Sequence, residues 1–422
     1  MLKRIKNVDL FTKNILIVFL GSSLLNFINL VYQLLIAHKL SPVDFAAFNS
    51  MLAIYMLISS PLGTIQTAVA KYTAEFNGSG QFSQTQALLS GFFRKTLIMA
   101  IVTFFIFLAA SFLIIARLKI NCNSCGYILA ILLALAWINP VIFGGVQGLE
   151  LFKWSSASSV ISGILKLGLA FIFIALGWGI SGALGALVIS TLAGIFVLYL
   201  PIKKNISAKA RQHNIDYREI YLYLLPVAIS TFCFINLVSF DMVLVKYYFS
   251  PEESGVYSLA QMVGKIFLFL PGAISVVMFP RVSGLNARNL STFATLRRSL
   301  FYTCVLVVAA GLVYNFFPYL VLKVLTGKAY LESVVLGRLF SVSMSFFTLL
   351  FILITYFLSI KDLRFIKYLV LFTALQFWSI TLFHKSLVSV QLILCINAIL
   401  LFFIHLTLVY KKQRQHSFQV AR

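Results

Sequence analysis

A few polar side chains stand inside long apolar stretches, where keeping them is costly. Lys265 lies about three turns into one stretch, Lys166 in the first half of another, and Asp241 near the far end of a third. Lys265 suits an anionic group held in a water-filled cavity, or a structural pair with Asp241 or another acid. Asp241 suits a proton or sodium site, although one acid is thin ground for coupling. Lys166 suits substrate contact, or snorkelling to the membrane interface. Asn26, Asn29 and Gln33 follow at spacings of three and four, so they share one helix face. Amides on such a face serve a cavity or glue one helix to another. Arg94, with Lys95 beside it, and Arg281 lie near the ends of apolar runs, where they can meet phosphates or act as ordinary anchors.

Other chemistries find no residues. There is no HExxH, GxSxG or P-loop, and no carboxylate pair shares a loop. His38, His213, His384, His405 and His416 are scattered. Cys122 and Cys125 form a lone CxxC; zinc needs about four ligands, so a local disulfide or two plain thiols remain. The expectation is a chain that is no enzyme and carries no metal or cofactor.

The elements that must position these residues are legible in the composition. The 422 residues are 61% hydrophobic and 11% charged, with 41 Phe, 18 Tyr and 9 Pro. A soluble domain has about a quarter charged residues. Lipid as solvent explains the deficit and demands helices, because the backbone must satisfy its own hydrogen bonds. Apolar runs past twenty residues exclude the short alternating strands of a β-barrel. The net charge of +23 is not one patch for nucleic acid. The basic residues punctuate the apolar runs, as cytoplasmic loops do, and draw anionic lipid headgroups.

The pattern predicts an all-α integral membrane protein of about twelve transmembrane helices. The spans are 14–37, 43–70, 91–116, 126–149, 160–177, 180–201, 220–248, 255–280, 299–319, 334–359, 368–383 and 387–410. The run Leu16 to Ala37 is too long for a cleavable signal and lacks a small-residue cleavage site. With the basic head inside, Lys and Arg are about threefold in excess on the inner side, which puts both termini in the cytoplasm. The domain reading is a six-helix lobe over 1–201, a basic cytoplasmic linker over 202–219, and a six-helix lobe with a basic tail over 220–422.

The halves repeat. LSPVDFAAFNSMLAI from Leu40 aligns with FSPEESGVYSLAQMV from Phe249: Ser41 and Pro42 match Ser250 and Pro251, Asp44 matches Glu253, and Phe48 matches Tyr257. Serine caps a helix, proline suits its first turn, and an acid favours its positive end. The same offset sets Leu62-Gly63 against Pro271-Gly272. Both motifs then lie at equivalent spans on the same side, which implies two parallel-related lobes, an architecture of transporters. Pro61 and Gly63, Pro140, Pro226, and Pro271 with Gly272 are the candidate hinges, since proline removes a helix bond.

These segments resemble the polysaccharide biosynthesis export proteins, the Wzx-type oligosaccharide flippases, which share a superfamily with the multidrug and toxic-compound extrusion transporters. The resemblance rests on LLIAHKLSPVDFAAFNSML, AVAKYTAEF from Ala68, GGVQGLELFKW from Gly144, DMVLVKYYFSPEESGVYSLAQMVGK from Asp241, FPRVS from Phe279 and LTGKAY from Leu325, in that order over nearly the whole chain. The family usually carries glycine where Ser41 or Pro42 stands and where Ala46 stands, so the first motif departs from the pattern that Gly255 and Tyr257 keep. The resemblance implies a multi-pass plasma-membrane flippase that moves polyprenyl-pyrophosphate-linked oligosaccharides outward by alternating access, for polysaccharide, capsule or lipopolysaccharide export. It implies no cofactor, with H+ or Na+ as driving ion. Its partners would be the lipid-linked oligosaccharide, membrane lipids, a glycan polymerase and other pathway proteins, and no nucleic acid. Cationic cavity residues would hold the pyrophosphate. The alternatives are ion-coupled efflux of amphipathic compounds, and a membrane enzyme or assembly component of glycan biosynthesis.

Overall fold

The computed structural model describes residues 10–207, 217–269, 272–288 and 290–420. The head with Lys3, Arg4 and Lys6, half of the basic linker (208–216), and Pro271 lie outside them. The described residues form fifteen helices: α1 (Leu10–Lys39), α2 (Pro42–Ser59), α3 (Gly63–Gly78), α4 (Phe82–Arg117), α5 (Asn123–Gly148), α6 (Phe152–Ala175), α7 (Gly179–Ser207), α8 (Tyr217–Tyr248), α9 (Pro251–Phe269), α10 (Gly272–Ala287), α11 (Phe293–Phe316), α12 (Pro318–Thr326), α13 (Leu331–Ser359), α14 (Ile366–Leu382) and α15 (Leu387–Val420). Nine helical runs among these residues are long and apolar enough to cross a membrane, α2 and α3 counting as one run. Their outer faces are apolar as well: Phe105 and Phe112 on α4 are 60% and 81% exposed. Water would not tolerate such a surface and lipid requires it. The protein is an all-α, multi-pass membrane protein.

The repeat extends over almost all of the chain. Moving α2 and α3 forward by 209 residues, the separation of Asn49 and Ser258, lands on α9 and α10 with matching starts at Pro251 and Gly272. The same shift takes α1 to α8, α4 to α11 plus α12, α5 to α13, α6 to α14 and α7 to α15. The two copies begin on the same local chemistry. Asp44 N donates to Ser41 Oγ at 3.1 Å, and Ser41 Oγ donates back to Asp44 Oδ2 at 2.8 Å. Glu253 N donates to Ser250 Oγ at 3.2 Å, while Ser250 N and Oγ donate to Glu253 Oε2 at 3.0 and 2.9 Å. The serine and the acid thus satisfy orphan groups of the first helical turn.

Where the expected spans and the helices differ, the reasons are local. Helix α3 runs to Gly78 and α4 starts at Phe82, so the polar stretch between the expected second and third spans is largely helical, and both rods continue past the apolar window. The ninth span ends early because Pro318 has no N–H to continue α11, and it opens α12 instead. Pro61 does mark a break, with α2 ending at Ser59 and α3 beginning at Gly63. Pro140 and Pro226 sit inside continuous helices. Gly177 and Gly179, at φ of 83° and 50°, make the tight turn between α6 and α7. Cys122 and Cys125 are bonded to each other where α5 begins, with Cα atoms 5.5 Å apart.

Two compact units follow from the packing. One comprises Met1–Leu40 and Ile58–Ala228; the other comprises Ser41–Leu57 and Ile229–Arg422. The linear halves of the sequence therefore do not coincide with the units: nearly all of α2 groups with the second half, and the later junction falls inside α8. In the first unit α5 is the central rod, packed by α3, α4 and α7. Gly144 and Gly148 let the α3 backbone come close, since a Cβ on either would lie 2.6 Å from the carbonyl oxygen of Gln66 or Ala70. In the second unit α13, the repeat partner of α5, is central and packs against α9, α15 and α11.

Candidate functional site

Within the second unit, α9 presents Tyr257, Gln261 and Lys265 four residues apart, so they form one stripe along its axis. Each meets a polar group from another helix. Tyr257 Oη donates to Asp241 Oδ2 of α8 at 2.7 Å, and Gln261 Nε2 donates to the same oxygen at 3.2 Å. Tyr257 Oη also lies 3.3 Å from Gln391 Oε1 of α15, and Gln391 Nε2 donates to Ser343 Oγ of α13 at 2.8 Å. Asp241, Tyr257, Gln391 and Ser343 are fully buried. At the other end of the stripe, Lys265 Nζ donates to Asn49 Oδ1 of α2 at 2.7 Å, and Asn49 Nδ2 donates to Ser258 Oγ at 2.7 Å.

The cluster therefore separates its charges. The Asp241 carboxylate is met by a phenol and an amide. The Lys265 ammonium is met by a neutral amide and makes no direct ion pair with Asp241, although each feels the other's charge. A cation with a neutral partner keeps its attraction for an anion, because the amide carries no net charge to neutralise it.

A second lysine sits in the first unit. Lys166 of α6 donates to Asn29 Oδ1 of α1, and its Nζ lies 4.8 Å from the Tyr32 ring centre. The ring is fixed by Tyr32 Oη donating to Ala183 O at 2.9 Å. Gln33 is half-buried and Asn26 exposed on the same α1 face, and of that trio Asn29 is the residue that hydrogen-bonds to Lys166. Arg94 on α4 and Arg281 on α10 are exposed, and neither hydrogen-bonds to the lysine or aspartate clusters.

Sequence reasoning singled out Asp241 and Lys265 but missed their partners Asn49, Ser258, Gln261, Gln391 and Ser343. One signal was present, since Asn49 and Ser258 occupy the same position in the two copies of the repeat. The fully buried Lys246 of α8 was also not singled out. A mostly apolar cleft of about 290 Å³ lies between α8 and α14, lined by Asn236, Phe240, Asp241, Thr373, Phe377 and Trp378 among others.

A bundle of long apolar helices with polar clusters buried among them defines an all-α, multi-pass membrane protein. The family model of polysaccharide biosynthesis proteins matches residues 11–286, and the chain belongs to that family. Its fold resembles the inward-facing conformation of a multidrug resistance MATE family transporter of the MOP superfamily, with a TM-score of 0.75 and 15% identity, over 92% of this chain and 96% of that one. It also resembles the lipid II flippase MurJ in an inward closed conformation, with a TM-score of 0.70 and 15% identity, over 94% and 87%. A MOP superfamily transporter from Pyrococcus furiosus aligns with a TM-score of 0.55 and 16% identity over 94% of each chain. At such identities the likeness is one of fold. No curated protein matches by sequence.

Proposed function

We propose that the protein translocates a polyprenyl-pyrophosphate-linked oligosaccharide across the cytoplasmic membrane by alternating access. The observation that carries this reading is the part-buried Lys265 ammonium, met by an amide and not by an acid. Membership in the polysaccharide biosynthesis family and the fold likeness to a flippase support it. In this reading α2 with α3, and α9 with α10, each cross as one broken rod, α12 is a short addition, and the total is twelve crossings in two parallel-related sets of six. Both termini lie in the cytoplasm. The break beside Pro61 and Gly63 acts as a hinge. Lys265 receives the pyrophosphate, with Lys166, Arg281 and Arg94 as further phosphate or sugar contacts, and Asp241 takes the coupling H+ or Na+. A glycan polymerase and other proteins of the pathway receive the product.

Efflux of amphipathic compounds is the second reading. It is favoured by the fold likeness to multidrug transporters, and by an acid lining an aromatic cleft. Reconstituted vesicles separate the two. With a labelled polyprenyl-pyrophosphate oligosaccharide, Lys265→Glu is expected to cut flux by about tenfold or more, because a charge-assisted contact turns into repulsion. The folded protein in the membrane should be undiminished. Unchanged flux would overturn the role of Lys265. Transport of an amphipathic cation that Asp241→Asn abolishes would favour efflux.

A further inference from the structure

Asn49 ties α2 to the second unit. It is 2% exposed, and its amide is oriented by its partners: the ammonium of Lys265 can only donate, so Oδ1 faces it, while Nδ2 faces the Ser258 hydroxyl. Other ties lie on the same stretch. Gly255 lets Pro42 approach so closely that a Cβ there would sit 2.9 Å from the Pro42 carbonyl carbon. Asp44 attracts Lys328 in the loop after α12, opposing the fall that burial imposes on the Lys328 pKa. Yet the stretch is short. At Leu40 and again after Leu57 the chain passes to segments of the other unit, and α2 ends at Ser59. Residues 41–57 thus belong to the second unit through packing, with Phe45, Phe48 and Met51 fully buried beside Asn49, and not through chain continuity.

We infer that Asn49 is a neutral stand-in for the anionic group that Lys265 receives, and that the exchange of one for the other releases α2 from α9. This rests on the reading of Lys265 as the anion site. An ammonium offered a pyrophosphate oxygen exchanges a bond to a neutral amide for one between opposite charges, which is the stronger. Asn49 then loses its tie to the ammonium and keeps the neutral one to Ser258. An aspartate in the same place would neutralise Lys265 permanently, whereas an amide holds the lysine in position and yields to a stronger acceptor.

Ala46 supplies a reporter. It is fully buried and lies on the face that carries Pro42 and Asn49, one turn from each. In nanodiscs, with the exposed Cys304 replaced by serine, the Ala46→Cys thiol should react slowly with a water-soluble maleimide. Adding Asn49→Ala or Lys265→Met should speed labelling about tenfold, the scale set by losing a hydrogen bond to a charged group. Asn49→Asp should keep the thiol as protected as in the parent. Farnesyl pyrophosphate should speed labelling of the parent and leave the Asn49→Asp protein unchanged. Equal labelling rates across Asn49→Ala, Lys265→Met, Asn49→Asp and the parent would overturn the latch. So would farnesyl pyrophosphate that binds the parent, by equilibrium dialysis of the same samples, without speeding labelling. Absence of binding would instead overturn the anion reading of Lys265, and with it the ligand-driven release.

Discussion

Asp241 is tolerated in the interior of the second unit because Tyr257 and Gln261 aim donors at it, and those donors depend on it in turn. Tyr257 has a second acceptor within reach in Gln391 Oε1 at 3.3 Å, so the amide of Gln261, itself 3% exposed, is the group that loses most if the carboxylate goes. Asp241→Leu should therefore destabilise the purified protein by about 1–3 kcal/mol, the cost of one stranded buried donor. Asp241→Asn should fall between this variant and the parent, since its carbonyl oxygen can still accept from both donors but, being neutral, binds them less strongly. Adding Gln261→Leu to Asp241→Leu should recover much of the loss, because removing both partners is far cheaper than removing one. Thermal melts of the four proteins in one detergent check the order. A double variant less stable than Asp241→Leu alone would mean that Gln261 holds α9 through something other than Asp241.

At the scale of elements, the close approach of α3 to α5 turns on two residues four apart. A methyl on Gly148 would meet Ala70 O and Thr73 Cβ, both at 2.6 Å, and the first of these is backbone that cannot swing away. Gly148→Ala should cost about 1–3 kcal/mol, as overpacking does. Gly168→Ala on α6 has nothing within 4 Å of the new methyl, and should be neutral or stabilising by up to about 1 kcal/mol. Paired thermal melts and membrane yields test the contrast. Much at this scale was legible beforehand. Long apolar runs mark rods because lipid leaves the backbone no other partner. Proline marked two of the breaks, at Pro61 and, less expectedly, at Pro318, where the span reading had carried the rod through. The Ser-Pro-acid motif marked both copies of one helix start. What escaped was the extension of α3 and α4 into polar sequence, since helix hydrogen bonds are indifferent to where the hydrocarbon ends. Partner choice escaped too. Asn49 stands between Phe48 and Ser50 in an apolar run with nothing local to announce it, and its role exists only because α2 crosses α9.

For the molecule as a whole, parity of crossings is the quantity that joins sequence to topology. Lys and Arg are about threefold in excess on one side only if the crossings are placed as twelve, and a helix added or dropped anywhere would invert every loop after it. Loops early and late in the chain must therefore be read together. Ser79 lies between α3 and α4 and Leu363 between α13 and α14, both exposed, and the twelve-crossing arrangement puts both inside. Leu331, at the start of α13, and Lys385, between α14 and α15, are exposed and fall outside. Single cysteines at these four positions, in a background with Cys304 replaced by serine, should divide cleanly. An impermeant maleimide added to intact cells should label Leu331→Cys and Lys385→Cys, and should reach Ser79→Cys and Leu363→Cys only after the membrane is opened. The Cys122–Cys125 pair, spent in its own disulfide, stays silent unless a reductant is added, and then it should report from outside. If α9 and α10 did not cross together as one broken rod, Ser79→Cys would keep its expected side while Leu331→Cys, Leu363→Cys and Lys385→Cys exchanged theirs. That pattern would place the error in one element and leave the first half standing.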